Sequence, residues 1–334
     1  MTRPTWQRYP IYLAVSIFAW AIFIFFFINI LIDPFQEYRV FQHKSYADSH
    51  TTGPFRALRQ LEEKPHYLVF GTSHTAPINS EVLKGDVINL SLSVYGSPSD
   101  IYYFMANMNQ KQKDNILGIY YLLAYNTFLE APSKYKTIDF NSQTELFYQS
   151  IINIDSYKIL RSLDKVLKNL THASDTYITQ KGEFIHVTPR AYRHRTYEKQ
   201  VSFTMSDYQL AYLSKLDSFF RENQLDVKYF KTTLSDYFLS SADFPSVRRH
   251  FDGILKTIDG FYSFMWLEGI SNQKAKYFRD PTHHGLDITR MQLEALNADS
   301  KRKDYLVTRD NVDSYLTKIQ KAIKESAKKV TSSH

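Results

Sequence analysis

The sequence predicts a three-layer α/β/α domain with a mainly parallel sheet, preceded by one N-terminal transmembrane helix. Short apolar runs that end in turn residues alternate with amphipathic helical segments, and continuous apolar runs are typical of parallel strands buried on both faces. One uncharged stretch near the N-terminus is long enough to cross a bilayer. The chain has 334 residues, of which 43% are hydrophobic. These numbers suit one membrane helix and one domain with a substantial core.

The uncharged stretch runs from Ile11 to Ile32, 22 residues rich in Ile, Phe and Leu. As a helix it would be ~33 Å long, which matches the hydrocarbon core. We expect an uncleaved anchor, because a cleaved signal peptide has a shorter apolar region followed by small residues. A buried core helix is the alternative, which the apolar circumference disfavours. Because Arg3 and Arg8 precede the stretch and Asp33 follows it, we expect a cytoplasmic N-terminus and a periplasmic or extracellular C-terminal domain.

Composition excludes several classes of site and partner. The absence of cysteine excludes a disulfide framework, a thiolate zinc site and a cysteine nucleophile. The formal net charge is +7, and it falls to +5 when Arg3 and Arg8 are set aside. For a domain outside the cytoplasm, this positive charge favours anionic lipids or polymers as partners, and nucleic acid is not expected. The basic residues of segment 190–199 form either a solvated face or a polymer-binding surface.

The first half of the chain contains three expected strands. Residues 1–32 form the anchor, and residues 33–64 form a polar connector with a short helix at 55–63. The globular domain is predicted for residues 65–300. Its first strands are the apolar runs at 66–71, 86–93 and 115–124. Ser99 is expected to cap the helix that follows the second strand.

The second half begins with a break in this rhythm. Residues 129–201 are expected to be an insertion over one end of the sheet, with a helix at 156–169 and a hairpin at 176–186. Alternation then resumes. The expected elements are a helix at 206–223, a strand at 226–231, a helix at 247–267, a last strand at 275–278 and a helix at 286–296. Residues 301–334 are interpreted as a basic C-terminal helix or tail.

Polar residues and a glycine follow the predicted strands. They are Ser73 after the first strand, Gly96 after the second, Asn126 after the third, and Asp280 with His283 after the last. The carboxyl ends of parallel strands meet at one edge of a sheet, and functional residues gather there. A serine, a histidine that accepts its proton and an aspartate that holds the histidine tautomer form a nucleophilic triad. The sequence therefore predicts Ser73, His283 and Asp280 as catalytic residues.

Each member of this set has an alternative role. Ser73 could cap a following helix, and His74 beside it is expected to point away from the site. His284 competes with His283, but the three-residue spacing from Asp280 favours His283. A metal site built from Asp280 and both histidines is a further alternative. It is disfavoured because no other carboxylate or histidine lies at helical spacing, so we expect no metal and no cofactor.

The two motifs resemble those of the SGNH/GDSL family of esterases and acyltransferases. Gly71-Thr72-Ser73 is similar to the family's nucleophile turn, and Asp-Pro-Thr-His at 280–283 is similar to its Asp-x-x-His block. The resemblance implies an SGNH-like fold and an oxyanion hole made by the Gly96 N–H and the Asn126 amide. The chain departs from the family at the third strand, because the usual Gly-x-Asn-Asp sequence is absent around Asn126.

Thr72 in place of the family's aspartate, the anchor and the late His-His pair resemble one membrane-anchored branch of the family. This branch includes alginate O-acetylation proteins and the D-alanine-transfer protein of teichoic-acid operons. The resemblance implies that Ser73 passes an acyl group, most simply acetyl, to an exported or cell-envelope polysaccharide, with a membrane-embedded protein as a candidate acyl donor. A carbohydrate or lipid esterase of the same fold and a non-catalytic envelope scaffold are the alternatives.

Overall fold

A computed structural model describes residues 9–26, 53–91, 94, 96–133, 135–152, 176–178, 184–186, 200–278, 280–298 and 303–331. The strands in these ranges are β1 (His66–Phe70), β2 (Val87–Asn89), β3 (Ile116–Leu122), β4 (Thr176–Ile178), β5 (Phe184–His186), β6 (Val227–Lys231), β7 (Gly260–Ser263) and β8 (Leu306–Thr308). Six of them form one sheet in the order β2-β1-β3-β6-β7-β8, and β4 and β5 form a separate pair.

The helices described in the same ranges lie between and beyond these strands. They are α1 (Tyr9–Phe26), α2 (Gly53–Glu63), α3 (Ser80–Leu83), α4 (Pro98–Ala106), α5 (Gln110–Asp114), α6 (Gln143–Ile152), α7 (Asp207–Glu222), α8 (Asp236–Leu239), α9 (Phe244–Leu255), α10 (Lys274–Tyr277), α11 (Leu286–Asn297) and α12 (Val312–Thr331). A 3-10 turn, Lys303–Tyr305, precedes β8.

The main sheet is covered on both faces. The first five strands in sheet order pair in parallel, and only β8 is antiparallel, against β7. Side chains alternate along β1, so that Leu68 and Phe70 enter one apolar cluster and Val69 enters the other. Helices α2, α4, α7, α9 and α12 contribute to the larger cluster, and α11 contributes to the smaller one. The predicted α/β class with a mainly parallel sheet between helices is therefore confirmed.

Several predicted elements agree closely with the structure. The expected strands at 66–71, 115–124 and 226–231 correspond to β1, β3 and β6. The hairpin expected at 176–186 is the antiparallel pair of β4 and β5. Helix α7 starts one residue after the predicted Ser206, which is its cap, because the Ser206 side chain accepts a hydrogen bond from the Gln209 N–H. The helix predicted at 156–169 and the basic residues of segment 190–199 lie outside the described residues.

Two elements near the C-terminal site motif were predicted wrongly. The helix predicted at 247–267 ends at Leu255, and β7 occupies the last part of that range. Phe251, Ile254 and Ile258 are buried at helical spacing, so the apolar pattern runs past the end of the helix. The strand predicted at 275–278 is instead the short helix α10. The sheet therefore gains its fifth strand from residues 260–263.

The predicted cap of α4 was also wrong. Ser97, not Ser99, is the cap, because the Ser97 hydroxyl accepts a hydrogen bond of 3.3 Å from the Asp100 N–H. Ser99 lies inside the helix and is fully buried. Its N–H donates to Oε1 of Gln209, and its Oγ accepts from Nε2 of the same residue. Ser99 thus joins α4 to α7.

Residues 301–334 were predicted as a basic C-terminal helix or tail, and their described part packs on the domain. Strand β8 pairs with β7, and α12 buries Leu316, Ile319 and Ile323 in the larger apolar cluster. Helix α2, which was predicted as part of the connector, likewise buries Phe55, Leu58 and other residues there. The folded unit therefore extends beyond residues 65–300 in both directions.

Helix α1 falls within the predicted membrane anchor. It has 18 residues, and its large apolar side chains are exposed. The last part of the predicted anchor, residues 27–32, lies outside the described residues. Within the described residues, none of the helices combines the length and the apolar character needed to cross a membrane. The transmembrane part of the predicted architecture is therefore not supported by the structure.

Candidate active site

Ser73, His283 and Asp280 meet, although Ser73 and His283 are 210 positions apart. Oγ of Ser73 lies 2.7 Å from Nε2 of His283. Nδ1 of the same ring lies 2.9 Å from each carboxylate oxygen of Asp280. The side chains of His283 and Asp280 are 17% and 12% exposed, so the site reaches solvent. This is the connectivity that a nucleophilic triad requires, while the catalytic role of the three residues stays a prediction.

Ser73 lies on a tight turn three residues after the end of β1. A Cβ atom on Gly71 would be 2.6 Å from Oγ1 of Thr75 and 2.8 Å from Cβ of Leu122, so only glycine fits at the start of this turn. The Thr75 N–H closes the turn by donating to the Thr72 carbonyl oxygen at 2.9 Å. The turn therefore holds Ser73 at the carboxyl edge of the sheet.

Asn89, at the end of β2, ties down the far side of the turn. Its side-chain amide donates to the carbonyl oxygens of Thr75 and Ile78, each at 2.8 Å, and its Oδ1 accepts from the Ser91 N–H. Because Asn89 is buried, these bonds replace hydration that its amide has lost. The sequence suggested only a strand or turn residue at position 89. The one available sign of a further role was an amide side chain within a predicted apolar strand.

The alternative role of Ser73 as a helix cap is not what the structure shows. The first helix after Ser73 is α3, and Asn79 caps it by accepting a hydrogen bond from the Val82 N–H at 3.1 Å. The Ser73 hydroxyl is instead directed at His283. Its orientation is therefore set by the histidine.

Asp280 is held in place by its own loop. Its Oδ1 accepts hydrogen bonds from the backbone N–H groups of Thr282 and His283, each at 3.0 Å, and from the Thr282 hydroxyl at 3.1 Å. Burial alone would raise the pKa of this carboxyl. The hydrogen bonds from the His283 ring and from the loop outweigh burial and lower the pKa well below its ordinary value. Asp280 is therefore a carboxylate at neutral pH.

The loop that carries Asp280 follows α10 and does not follow a strand. Phe278 and His284 form a β-bridge across it, and the Ser235 hydroxyl donates to the carbonyl oxygen of Pro281 at 2.6 Å. Ser235 follows β6 by four residues, and β6 is one of the central strands of the sheet. The backbone N–H of Ser235 donates to the same oxygen at 3.2 Å, so the loop reaches the carboxyl edge of the sheet through hydrogen bonds to Ser235, and not by extending a strand as the sequence predicted.

His283 and His284 point to different partners. Nε2 of His284 lies 2.6 Å from Oγ1 of Thr232, the residue that follows β6, whereas His283 contacts Ser73. Of the two rings, His283 is the one that contacts the serine, while its catalytic role stays a prediction. Since the Nε2 atoms of the two rings have separate partners, the rings do not converge with Asp280 as a shared ligand set.

His74 was expected to point away from the site, and this expectation was wrong. Its ring is stacked on the ring of His283, with centroids 4.6 Å apart and planes only 9° from parallel. Nδ1 of His74 lies 2.6 Å from Oγ1 of Thr72. Sequence adjacency to Ser73 gave no information about the direction of this ring, because that direction depends on the backbone of the turn.

Gly96 lies against the nucleophile turn. A Cβ atom there would be 2.5 Å from the Gly71 carbonyl oxygen, and the backbone is left-handed with φ of 63°. The Gly96 N–H donates to the Val94 carbonyl oxygen at 2.6 Å. Asn126 is exposed in the turn that follows β3. Gly96 therefore lies beside the turn that carries Ser73, and the oxyanion roles of Gly96 and Asn126 stay predictions.

A small cavity lies beside His74, and sequence reasoning missed it. It is lined by His74, Tyr125, Phe203, Lys231 and Thr232, among others. Lys231 is almost completely buried, donates from Nζ to the Leu123 carbonyl oxygen at 2.9 Å and lies over the rings of Phe251 and Phe261. Burial lowers the pKa of Lys231 well below its ordinary value.

Comparison of the chain with protein-family models, with curated proteins and with solved structures found no match.

Proposed function

We propose that the protein is a serine-dependent acyltransferase of the SGNH/GDSL type. In this proposal Ser73 takes up an acyl group, most simply acetyl, and passes it to a hydroxyl group of an exported or cell-envelope polysaccharide. The observation that supports it is the 2.7 Å contact between Oγ of Ser73 and Nε2 of His283, with Asp280 on the opposite ring nitrogen.

The first half-reaction forms an acyl-serine. Nε2 of His283 accepts the hydroxyl proton while Oγ of Ser73 attacks the acyl carbonyl carbon, since a serine hydroxyl is a weak nucleophile at neutral pH. The tetrahedral intermediate collapses by breaking the bond to the donor's leaving oxygen. His283 returns its proton to that oxygen, so the acyl group is bound to Ser73 and the ring is neutral again.

The second half-reaction reverses these roles. His283 removes a proton from the acceptor hydroxyl, whose oxygen attacks the acyl carbon, and Oγ of Ser73 leaves with the proton. Asp280 stabilises the charged imidazole in both halves, because its low pKa keeps it ionised. Water in place of the sugar hydroxyl would give hydrolysis by the same steps.

The oxyanion donors in this proposal are the Gly96 N–H and the Asn126 amide. In serine hydrolases one such donor contributes about 3–4 kcal/mol to transition-state stabilisation. The Gly96 N–H is bonded to the Val94 carbonyl oxygen, so it must share or leave that bond to reach the substrate.

We further propose that residues 11–32 anchor the protein in the cytoplasmic membrane with the domain outside. The absence of charge from these residues, the preceding Arg3 and Arg8, and the exposed apolar side chains of α1 support this location. An anchored domain would lie beside a membrane-embedded acyl donor, and this favours transfer over hydrolysis.

Covalent trapping of Ser73 tests the central claim. The full-length protein in detergent is incubated with a fluorophosphonate, which reacts with activated serines, and the modified peptide is located by mass spectrometry. Modification at Ser73, its loss in Ser73→Ala and its retention in Ser91→Ala are expected. Ser91 is a buried serine just past β2 and is a suitable control. An unmodified Ser73 in correctly folded protein would contradict the proposal.

Product analysis separates transfer from hydrolysis. The full-length protein receives p-nitrophenyl acetate with and without an oligosaccharide acceptor. Acetylated sugar in excess of free acetate supports transfer, whereas acetate alone, unchanged by the acceptor, supports the esterase alternative. If the protein is a non-catalytic scaffold, neither product should form. In cells that carry Ser73→Ala, acylation of the polysaccharide should then be normal.

A further inference from the structure

We infer that His74 is a positioning residue for the site: its imidazole supports one face of the His283 ring and holds that ring in the plane shared by Ser73 and Asp280. The inference rests on the proposed function, because it concerns the histidine that serves as general base there. It assigns a role to the residue that directly follows the nucleophile.

The two rings are stacked almost face to face. Their centroids are 4.6 Å apart and their planes differ by 9°. His74 is 8% exposed, so its ring is enclosed by protein. Its Nδ1 is hydrogen-bonded to Oγ1 of Thr72, and its ring also meets Tyr125 at 67°, with centroids 6.4 Å apart. The His74 ring is therefore held in place by contacts other than its stack on His283.

The contact acts on the one rotation that the triad does not control well. Ser73 and Asp280 bind the two nitrogens of His283, which lie on opposite edges of the ring. A tilt of the ring about the line through these two nitrogens changes both hydrogen-bond lengths little, so the two bonds resist it only weakly. A flat aromatic partner on the ring face resists that tilt over its whole area. His74 thus supplies a restraint perpendicular to the two hydrogen bonds.

The stack also suits the charge that develops during the reaction. His283 becomes an imidazolium when it takes the serine proton. The face of an aromatic ring attracts a cation, whereas an aliphatic side chain does not. The same turn carries Ser73 and His74, so the backbone that positions the nucleophile also positions this ring. We therefore expect kcat to be higher with an aromatic side chain at position 74 than with an aliphatic or amide side chain.

Three substitutions separate the aromatic face from mere filling of space. His74→Leu and His74→Gln remove the face, and His74→Phe keeps it while removing the bond to Thr72. For the full-length protein in detergent acting on p-nitrophenyl acetate, kcat should fall about tenfold in the first two variants, equivalent to ~1.4 kcal/mol. KM should stay within about twofold, since His74 acts on the base, and His74→Phe should recover most of kcat.

The comparison with Ser73→Ala distinguishes the two proposals. Unchanged activity in Ser73→Ala overturns the proposed function itself. Loss of activity in Ser73→Ala together with wild-type kcat in His74→Leu and His74→Gln overturns only the role of His74. Equal impairment of all three variants at position 74 also overturns it, because the aromatic face then makes no difference. Each rate is divided by the concentration of folded protein, which is determined from the thermal transition. If one variant folds poorly, the other two still decide the test.

Discussion

Gly96 and Gly71 touch through their backbones, and a Cβ atom on Gly96 would lie 2.5 Å from the Gly71 carbonyl oxygen. This contact joins the loop after β2 to the turn that carries Ser73. Gly96 also has a φ of 63°, which side chains rarely adopt. Two separate reasons thus require glycine at one edge of the site.

We predict that Gly96→Ala lowers the free energy of unfolding by about 3 kcal/mol or more, because strain in a left-handed residue adds to a backbone clash. Gly269→Ala is the matched control. Gly269 also has a left-handed φ, of 74°, but nothing lies within 4 Å of its Cβ position. We expect it to cost only about 1 kcal/mol. Thermal unfolding of both variants is the measurement, and equal losses would remove the clash as a cause.

Ser73→Ala and His283→Ala should each abolish acyl transfer to the glycan and cleavage of a small acetyl ester. The double variant should be no worse than either single variant, because residues that act as one unit are not additive. Steady-state kinetics of the three variants tests this. Multiplicative losses would show that the two residues act independently. Each variant should unfold within a few degrees of the wild type, since the site lies at the sheet edge and outside the core.

Asp280→Asn should destabilise the protein at pH 7 and matter less as the pH falls. The folded state holds the pKa of Asp280 below its ordinary value of 3.8, so the carboxylate stabilises the fold above that value and loses this effect as it is protonated. The difference in unfolding free energy between variant and wild type should therefore shrink below about pH 4. Thermal melts from pH 7 to pH 3 provide the measurement, and a constant difference would contradict the assignment. Residual activity should remain, because His283 is still present.

Lys231→Met should stabilise the protein near neutral pH, by about 1–3 kcal/mol. Burial lowers the pKa of Lys231, so unfolding is accompanied by proton uptake at pH values between the folded and the unfolded pKa, which favours the unfolded state. The wild type should therefore gain stability relative to Lys231→Met as the pH rises towards 10.5. His250, whose pKa is lowered by burial and then by Lys231, is the titratable neighbour. Denaturant melts at pH 7 and pH 10 test the sign, and a gap that widens with pH would contradict it.

A tag placed after His334 should be accessible only from outside the cytoplasmic membrane, and the anchor should remain in the mature protein. The reason is the uncharged stretch at 11–32 with Arg3 and Arg8 before it. Protease protection of spheroplasts and N-terminal sequencing provide the measurements. A mature N-terminus near residue 33, or a cytoplasmic tag, would contradict the proposed location.

The sequence predicted the centre of the sheet better than its edge. β1, β3 and β6 are apolar runs that end in polar or turn residues, so their pattern is visible without tertiary information. β7 has four residues and continues the apolar spacing of α9, and β8 has three residues next to charged ones. Both segments are strands because they pair with a neighbouring strand, and this pairing is not visible in the local sequence pattern.

The site was predictable to the extent that its chemistry is local in sequence. Asp280 and His283 share one loop, and Ser73 follows a strand and a glycine, so residue type and spacing pointed to them although the strand predicted before Asp280 is a helix. His74 and Asn89 were missed because their roles depend on contacts made across the fold. The role of His74 depends on its stack on His283, which comes from a distant loop, and the role of Asn89 depends on carbonyl groups from another segment.

The 210 positions between Ser73 and His283 also determine when the site can exist. A ribosome delivers the turn with Ser73 long before the loop at 280–283, and domains complete their folding only when the contributing segments are available. In the proposed function, the serine would have no proton acceptor until that loop docks against the residues after β6. A nascent or truncated chain would then carry an unreactive hydroxyl, and reaction with a fluorophosphonate would report that synthesis and docking of the later half are complete.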